Sequence, residues 1–443
     1  MSWTILLGAI YLILACWWIS HWKHLRPPGL STLALIGLFL SRVAMSWGYG
    51  WLHHRYYPGF NDSWKNFQQA VELAHWWYRD PQGLEEYLRG RLHYLLYLDF
   101  LGVYHTFWQS SGHYVMLGLQ LIFNLFSGSS YYINCIFFSL LTLPGWLRYM
   151  ELYRLTIGMS TPASLLWFHF PSIWFWFSGM HKDALLLMGL AFLGYHTYRL
   201  LQKLSVGRVA TGMLLSDGSW IMLSLIGILL LKNFLLLMLL PAWLAWITAA
   251  VVKQKWPALG KRFSPAKIFT WGFIGWLVLG LGISWAFHLH PLQVVAERQE
   301  AFYRVGVELG AHSVLPPLAF QPDGIDALRV LPAALWRVVV LPNPSTQHVW
   351  LQVLVQLNNV LWIVLLTLSL IWRSNSISQI HPWLLLSYWL ALAYLLLIGY
   401  TVCIAGAMVR YRALAEFFLL APSIQILYHK HIKKNKIFYF SGG

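Results

Sequence analysis

The sequence predicts an all-α, polytopic integral membrane protein with about 11 transmembrane helices. Of its 443 residues, 58% are hydrophobic and only 10% are charged, and the mean hydropathy is +0.56. Soluble domains usually contain about a quarter charged residues, so the deficit indicates a chain that folds in a bilayer. The apolar residues also recur in stretches of about 20, the length at which an α-helix crosses the hydrocarbon core. Because a helix satisfies its own backbone hydrogen bonds, helices are the expected spanning elements.

Eleven apolar segments are candidates for spanning helices: 3–19, 29–47, 131–147, 163–178, 184–199, 215–231, 234–251, 267–286, 350–372, 382–402 and 409–427. The first has neither a basic n-region nor a clear cleavage site of small residues, so we expect it to stay as an anchor. Cys16, Cys135 and Cys403 lie in or beside apolar runs without the spacing of metal ligands, and we expect them to be buried thiols.

The charges of the loops predict the orientation of these helices. Lys23 and Arg26 lie between the first two segments, and basic loops stay in the cytoplasm, so we expect the N-terminus outside and the C-terminus inside. Alternation then places more than half of the 31 basic residues on the cytoplasmic side, but only Glu151 and Asp217 of the 15 acidic ones. The net charge of +16 is therefore a positive-inside signature, and no nucleic-acid partner is predicted. A bacterial cytoplasmic (inner) membrane is the expected location.

Two predicted extracytoplasmic loops, 48–130 and 288–349, are too long to be turns and contain amphipathic stretches that predict juxtamembrane helices. The stretch 114–126 is almost long enough to span, but a span here would invert every later loop, so we expect it to lie at the membrane surface. The chain is expected to form a single integral membrane domain, 1–443, with the loops as insertions and a basic cytoplasmic tail at 429–443.

The first outer loop contains the first candidate site. Asp62, in the motif FNDSWKNF, follows a helix that ends outside and begins an amphipathic one, so its carboxylate is expected at the outer membrane surface. Asp and Ser also cap helices, and a capping role for Asp62 or Ser63 is an equally good interpretation. Glu72 and Asp80 are alternative acidic candidates in the same loop.

A second candidate site is the turn formed by His181, Lys182 and Asp183, which is predicted to join two apolar helices on the outer side. The ordinary interpretation is that Lys182 and Asp183 neutralise each other in water. Lys232 and Asn233 form another predicted outer turn, where snorkelling of the lysine to the lipid head groups is the alternative to a binding role.

A third candidate site opens the last helix, where Arg410, Tyr411 and Arg412 are expected at the outer side. Arginine suits phosphate because its planar fork donates two hydrogen bonds and keeps its charge. Glu416 lies one turn further along, so an ion pair with Arg412 would explain one arginine but not the other. No metal-ligand spacing is present, so no cofactor is predicted, and a divalent metal stays an open alternative.

Taken in order, these motifs resemble the glycosyltransferase C superfamily, polytopic enzymes that use polyprenyl-phosphate sugars. The resemblance spans most of the chain. It rests on FNDSW followed by QQAVELA, on P-x-x-x-F-W-F-S-G-x-x-K-D, and on RYR at the start of a late helix. It departs from the family pattern in two places. Two helices precede the catalytic loop where the family often has one, and the usual acidic pair of that loop is reduced to Asp62 with Asn61 beside it.

The resemblance implies transfer of one sugar from a polyprenyl-phosphate donor to a glycan, lipid or protein acceptor, among membrane lipids on the extracytoplasmic side, by a single inverting displacement. Asp62 would be the general base. Basic side chains would offset the charge of the leaving phosphate: Arg410, Arg412, Lys182 and Lys232. The secondary site candidates are Asp183, His181, Tyr411, Glu72 and Asp80.

Two other functional classes stay open. An oligosaccharide polymerase or O-antigen-ligase-like enzyme would use a lipid-pyrophosphate glycan and would need Arg and His residues in the second outer loop. A lipid-linked sugar flippase or transporter would line a path through the bilayer with polar residues. The sequence places its ionisable residues mainly at the predicted helix ends, which favours an enzyme.

Overall fold

The computed structural model describes residues 2–57, 62–94, 106–206, 211–311, 313–340, 349–371 and 381–439. Within these ranges the chain is helical and has no strand, apart from one isolated bridge between Val314 and Ile404, so the all-α prediction is confirmed. The helices are α1 (Ser2–Ser20), α2 (Thr32–Tyr56), α3 (Asp62–Arg79), α4 (Pro81–Tyr94), α5 (Thr106–Ser127), α6 (Tyr131–Ile157), α7 (Thr161–Phe168), α8 (Pro171–Ser178), α9 (Lys182–Val206), α10 (Thr211–Lys255), α11 (Pro257–Arg262), α12 (Pro265–Ala286), α13 (Pro291–Glu308), α14 (Gly324–Val339), α15 (Val349–Ile371), α16 (Pro382–Thr401) and α17 (Ala405–Tyr439).

Among the described residues, seven helices are long and apolar enough to cross a membrane, or eight if the bent pair α5 and α6 is one span. All eleven segments proposed from the sequence are helical, but they do not give eleven separate long helices. Segment 163–178 is divided at His169 and Phe170 into α7 and α8, of eight residues each, which are too short to cross singly. Segments 215–231 and 234–251 are the two arms of α10, joined at Lys232, where the backbone leaves helical geometry (φ −154, ψ 83).

The stretch that we expected at the membrane surface lies in α5, which meets α6 at an angle of 116°. Gly128 and Ser129 form the corner, and both adopt the left-handed conformation, with φ of 60° and 58°. Glycine takes this conformation without steric cost, whereas Ser129 is strained there. A buried hydrogen bond of 2.7 Å from Asn134 Nδ2 to Asn124 Oδ1 ties the two helices together past the corner.

The described chain forms two compact units. The first unit contains Met1–Leu152 and Trp174–Leu236, and in it α1 packs on α2, and α3 packs on α4 and α5. The second unit contains Tyr153–Ile173 and Leu237–Gly443, and in it α16 and α17 pack on each other and are surrounded by α7 and α12 to α15. Both outer loops predicted from the sequence contain helices, α3 to α5 in the first and α13 and α14 in the second.

Helices α1 and α12 leave large apolar side chains uncovered, among them Trp3, Ile13, Trp271 and Trp285. In water such surfaces would be unfavourable, since each buried apolar side chain contributes about 1.5–3 kcal/mol. In a bilayer the same surfaces face hydrocarbon, which agrees with the composition of the chain.

Several helices begin at residues whose side chains cap the first turn, and such residues can be recognised in the sequence. Ser31, Ser160, Ser264 and Asp323 each accept a hydrogen bond from the backbone N–H three residues later, which satisfies a donor that the first helical turn leaves free. His381 begins α16 in a different way: its Nδ1 accepts from the N–H of Trp383 at 3.1 Å. Accepting at Nδ1 requires a neutral ring, and burial, together with the charge of Lys253, lowers the pKa of His381 to about 4.

We predict that His381→Ala destabilises the second unit by about 0.5–2 kcal/mol, the usual effect of losing an N-cap, whereas His381→Asn keeps most of the stability.

The His381 cap also predicts that the stability of the second unit depends on pH. The pKa of an unfolded histidine is about 6.5, so the stabilisation by His381 is complete above that pH and is lost as the pH falls toward 4. Thermal unfolding in detergent between pH 7 and pH 4 measures both effects. An equal pH response in the native chain and in His381→Asn would contradict the cap.

Candidate functional site

The start of α3 is fixed by the buried hydroxyl of Ser63, next to the exposed carboxylate of Asp62. Ser63 Oγ lies 2.7 Å from the carbonyl oxygen of Met180 and 2.8 Å from the hydroxyl of Tyr131. A hydroxyl has one proton, so Ser63 donates to Met180 and accepts from Tyr131. These bonds hold the first turn of α3 beside the segment that leads into Lys182. Asp62 is the first residue of α3, so its backbone is fixed by the same bonds.

Aromatic packing fixes the same corner of the first unit. The ring of Trp64 stacks on that of Tyr131, with centroids 3.9 Å apart and planes 8° apart, and its indole N–H donates to the carbonyl of Gly50 at 2.9 Å. A Cβ atom on Gly50 would come within 2.3 Å of the Tyr131 ring. The end of α2 can approach α6 this closely because position 50 has no side chain, so the ends of α2, α3 and α6 meet.

Asp183 lies in a buried ion pair with Lys232. Lys232 Nζ is 2.8 Å from Asp183 Oδ1, and each residue is only 5% exposed. His181, also buried, places Nδ1 3.3 Å from Asp183 Oδ2 and accepts from the Asp183 backbone N–H. The expectation that Asp183 lies in water is therefore wrong, and so is snorkelling of Lys232 to the lipid head groups. The break in α10 directs the lysine to a carboxylate inside the protein instead.

The break in α10 is stabilised by the beginning of α5. A helix interruption at Lys232 leaves carbonyl groups of the preceding turn without their usual donors. Ser111 Oγ donates to one of them, the carbonyl of Leu230, at 2.6 Å. A Cβ atom on Gly112 would lie 2.9 Å from the carbonyl oxygen of Leu231 and 3.2 Å from Cδ of Lys182. Helix α5 therefore lies directly against both the break and the Lys182 side chain.

His113 connects Asp62 to the basic residues of this face. Its Nδ1 lies 2.7 Å from Asn66 Oδ1, one helical turn along α3 from Asp62. Asp62 and Lys65 lie on the same turn of α3 as Asn66, and Lys182 lies against α5 at Gly112, the residue before His113. The structure thus brings the predicted Asp62 and Lys182 into one polar neighbourhood, which we call the α3–α9 cluster: Asp62, Lys65, Asn66, His113 and Lys182.

Sequence analysis missed three members of the α3–α9 cluster. Lys65 and Asn66 follow Asp62 by three and four residues, so helical periodicity alone places them on its face of α3. His113 gave no such signal, because the helix that carries it is mostly apolar and its neighbours come from distant segments.

The alternative acidic candidates lie elsewhere on the surface. Glu72 and Asp80 are exposed and follow Asp62 by ten and 18 residues, which corresponds to about 15 and 27 Å along a helix. Asp80 Oδ1 accepts from the backbone N–H of Gly83 at 2.9 Å and so helps to start α4. Asn61 and Phe60, which complete the motif before Asp62, are outside the described residues.

In the second unit Arg412 is fully buried and bound to protein groups. Its Nε donates to Glu416 Oε1 at 2.6 Å, Nη1 donates to the carbonyl of Val338 at 3.1 Å, and Nη2 donates to Asn359 Oδ1. The second oxygen of Glu416 accepts from Ser172 and from Asn358. This network supports the structural interpretation of Arg412, because its charge is already compensated.

The side chains of Arg410 and Tyr411, next to Arg412, are more exposed than that of Arg412. Arg410 and Tyr411 are half-buried, and the Arg410 guanidinium lies 5.8 Å from the centroid of the Tyr411 ring. Their role at a lipid phosphate stays a prediction. Among the described residues no group of three or more His, Cys, Asp and Glu side chains could hold a metal ion. The expectation that no cofactor is needed likewise stays a prediction.

We predict that Asp183→Asn destabilises the first unit by about 3–5 kcal/mol, because it leaves the Lys232 ammonium buried without a counter-charge. The double variant Asp183→Asn with Lys232→Met should recover much of this loss, since it removes the orphaned charge. The matched control is Glu85→Gln, which breaks the exposed Glu85–Arg89 pair and should change stability by no more than about 0.5 kcal/mol. Thermal unfolding in detergent measures all three. A double variant as unstable as Asp183→Asn would contradict the ion-pair argument.

No family model matches the sequence, and no curated protein or solved structure matches it. Any functional conclusion therefore has to come from the residues themselves. In the first unit, these are the exposed carboxylate of Asp62 at a helix start, the other residues of the α3–α9 cluster, and the buried ion pair between Asp183 and Lys232.

Proposed function

We propose that the protein is a membrane glycosyltransferase that moves a sugar from a polyprenyl-phosphate donor to an acceptor at the extracytoplasmic face. The observation that supports this most is the α3–α9 cluster. Asp62 lies one helical turn from Asn66, which hydrogen-bonds to His113, and Lys182 lies beside Gly112, the neighbour of His113, although 120 residues separate Asp62 and Lys182 in the sequence. An acid and a cation at one face are what a base-assisted displacement from a phosphate leaving group requires.

In this proposal Asp62 takes the proton of the acceptor hydroxyl while the oxygen attacks the anomeric carbon. Its exposure leaves room for an acceptor, and Ser63 fixes its backbone through Met180 and Tyr131. The bond from the anomeric carbon to the phosphate oxygen breaks on the opposite side of the sugar ring. A single displacement of this kind inverts the configuration at that carbon.

The cation best suited to the leaving phosphate is Lys182. Lys232 is buried and its charge is offset by Asp183, so we assign it to holding the turn that carries Lys182. Lys65 is exposed on α3 and adds a second positive charge near Asp62. Trp76 and Trp77 are exposed further along α3, and their rings provide apolar surface for an isoprenoid chain or a sugar.

One observation favours a second candidate function, a transporter of lipid-linked sugars. Arg42 is fully buried in the middle of α2, a helix long and apolar enough to span the membrane. We expected ionisable residues mainly at helix ends, so this residue is a correction to that view. A transporter would move a labelled lipid-linked sugar between the leaflets of a vesicle without forming a glycosidic bond, whereas the proposed enzyme would form a product of higher mass.

We predict that Asp62→Asn lowers turnover of a polyprenyl-phosphate sugar by about 10²–10⁴-fold, the usual contribution of a positioned general base. The fold should be unchanged, because Asp62 is exposed. Glu72→Gln and Asp80→Asn are matched controls on the same helix and its end, and turnover in both should stay within about twofold of the native rate, since neither is expected to touch the reacting atoms. The measurement is product formation in detergent or proteoliposomes. Full activity in Asp62→Asn would remove it from the mechanism.

A separate variant tests the cation. We predict that Lys182→Met raises the half-saturating donor concentration about 10–100-fold, in line with the loss of one charge-assisted hydrogen bond. Lys182→Arg keeps the positive charge and should recover part of the affinity. Donor titrations under steady-state conditions give the result. Equal donor affinity in Lys182→Met and the native chain would exclude Lys182 from phosphate binding.

A further inference from the structure

The middle of α2 contains a buried arginine that has no acidic partner among the described residues. Arg42 follows the start of α2 at Thr32 by ten residues, or about 15 Å, so it lies near the centre of a hydrocarbon core of about 30 Å. Its side chain is fully buried in the first unit. A guanidinium at this depth costs several kcal/mol unless a counter-charge or a hydrogen-bonding network surrounds it, and it does not lose its proton.

All contacts of Arg42 among the described residues are with neutral groups. Nη2 donates to Thr142 Oγ1 at 2.6 Å and approaches the carbonyl of Phe177 at 3.4 Å. The guanidinium carbon lies 4.4 Å from the centroid of the Trp146 ring. Nε and Nη1 have no hydrogen-bond partner. A guanidinium has five N–H groups, and here the one on Nε and both on Nη1 point at no acceptor in the part of the chain that the structure describes.

The same chain contains a buried arginine that is fully compensated. Arg412 is as deeply buried as Arg42, yet its three nitrogens donate to Glu416, Val338 and Asn359. Compared with Arg412, Arg42 lacks a negative charge and acceptors for three N–H groups among the described residues.

Unpartnered hydroxyl groups lie on the helix faces around Arg42. Ser46 is one turn along α2, Ser139 is one turn from Thr142 on α6, and Ser178 follows Phe177 at the end of α8. All three are fully buried, and their Oγ atoms have no hydrogen-bond partner among the described residues. The thiol of Cys135 lies 3.9 Å from the carbonyl oxygen of Ser46, so α6 faces α2 at this level too. Unsatisfied donors thus lie on three helices that contact one another around Arg42.

We infer that Arg42, with Ser46, Ser139 and Ser178, forms a binding site for a single phosphate-type anion in the middle of the first unit. A phosphate group carries at least one negative charge at neutral pH, which offsets the guanidinium, and it has several oxygens that accept from different directions, which matches donors distributed over three helices. Trp64, at the start of α3, contacts the carbonyl of Gly50, which lies eight residues, or about 12 Å, along α2 from Arg42. The anion site therefore lies deeper in the first unit and contains no residue of the α3–α9 cluster, so it does not depend on the proposed transfer reaction.

The inference is tested by thermal unfolding of the full chain in detergent, in a buffer whose only anion is gluconate. Inorganic phosphate, farnesyl phosphate and chloride are then titrated separately. We expect a saturable rise in the unfolding midpoint of the native chain with a phosphate compound, at least about threefold larger than in Arg42→Met, because a ligand stabilises only a fold that binds it. A response to inorganic phosphate identifies a free ion, and a response to farnesyl phosphate alone identifies a lipid head group.

Matched variants separate binding from folding. Lys23→Met removes an exposed positive charge and should respond like the native chain. Ser139→Ala and Arg42→Lys keep a positive charge in the site, and both should raise the half-saturating phosphate concentration several-fold, which gives a result even if Arg42→Met does not fold. The inference is overturned if neither phosphate compound raises the midpoint of the native chain, if Arg42→Met responds as the native chain does, if chloride acts as strongly as phosphate, or if Ser139→Ala and Arg42→Lys titrate normally.

Discussion

The buried ion pair between Asp183 and Lys232 is the interaction on which the α3–α9 cluster of the first unit depends. It joins the start of α9 to the interruption of α10, and each of its partners would be unfavourable in that environment without the other. Because α5 lies against the same interruption through Ser111 and Gly112, the pair also determines where His113 is placed. The chemistry proposed for Asp62 and Lys182 therefore needs a charge pair that takes no part in it.

The class of fold could be predicted from composition, whereas the number of spanning helices could not. Eleven apolar segments were found and all are helical, because an apolar stretch in a bilayer has few alternatives to a helix. Apolar length does not distinguish a straight helix from one that is broken by Lys232 or one that is divided at His169 and Phe170. Those breaks depend on tertiary partners, such as Asp183, that lie far away in the sequence.

The candidate site was also only partly predictable from the sequence. Motifs that combine charge with a helix start drew attention to Asp62, Lys182 and Asp183, since such residues are rare in this chain, but they marked them as two separate candidate sites. Pairing was not predictable, because two lysines compete for Asp183 and only the fold shows that Lys232 is the one within 2.8 Å. Arg42 was missed for a different reason: a single charge inside an apolar run does not disturb the hydropathy of a segment that is otherwise long enough to span.

The two fully buried arginines show why the distribution of charge matters more than its amount in this protein. In a medium of low dielectric constant an arginine keeps its proton, so the protein or a ligand has to supply the opposite charge. Arg412 has an acid one turn away and needs nothing further, and a ligand role is correspondingly hard to assign to it. In the part of the chain that the structure describes, Arg42 contacts only neutral groups, although it lies ten residues inside α2. A chain that contains so few charged residues and leaves one of them uncompensated at mid-membrane is better explained by an anion that enters the bundle than by packing alone.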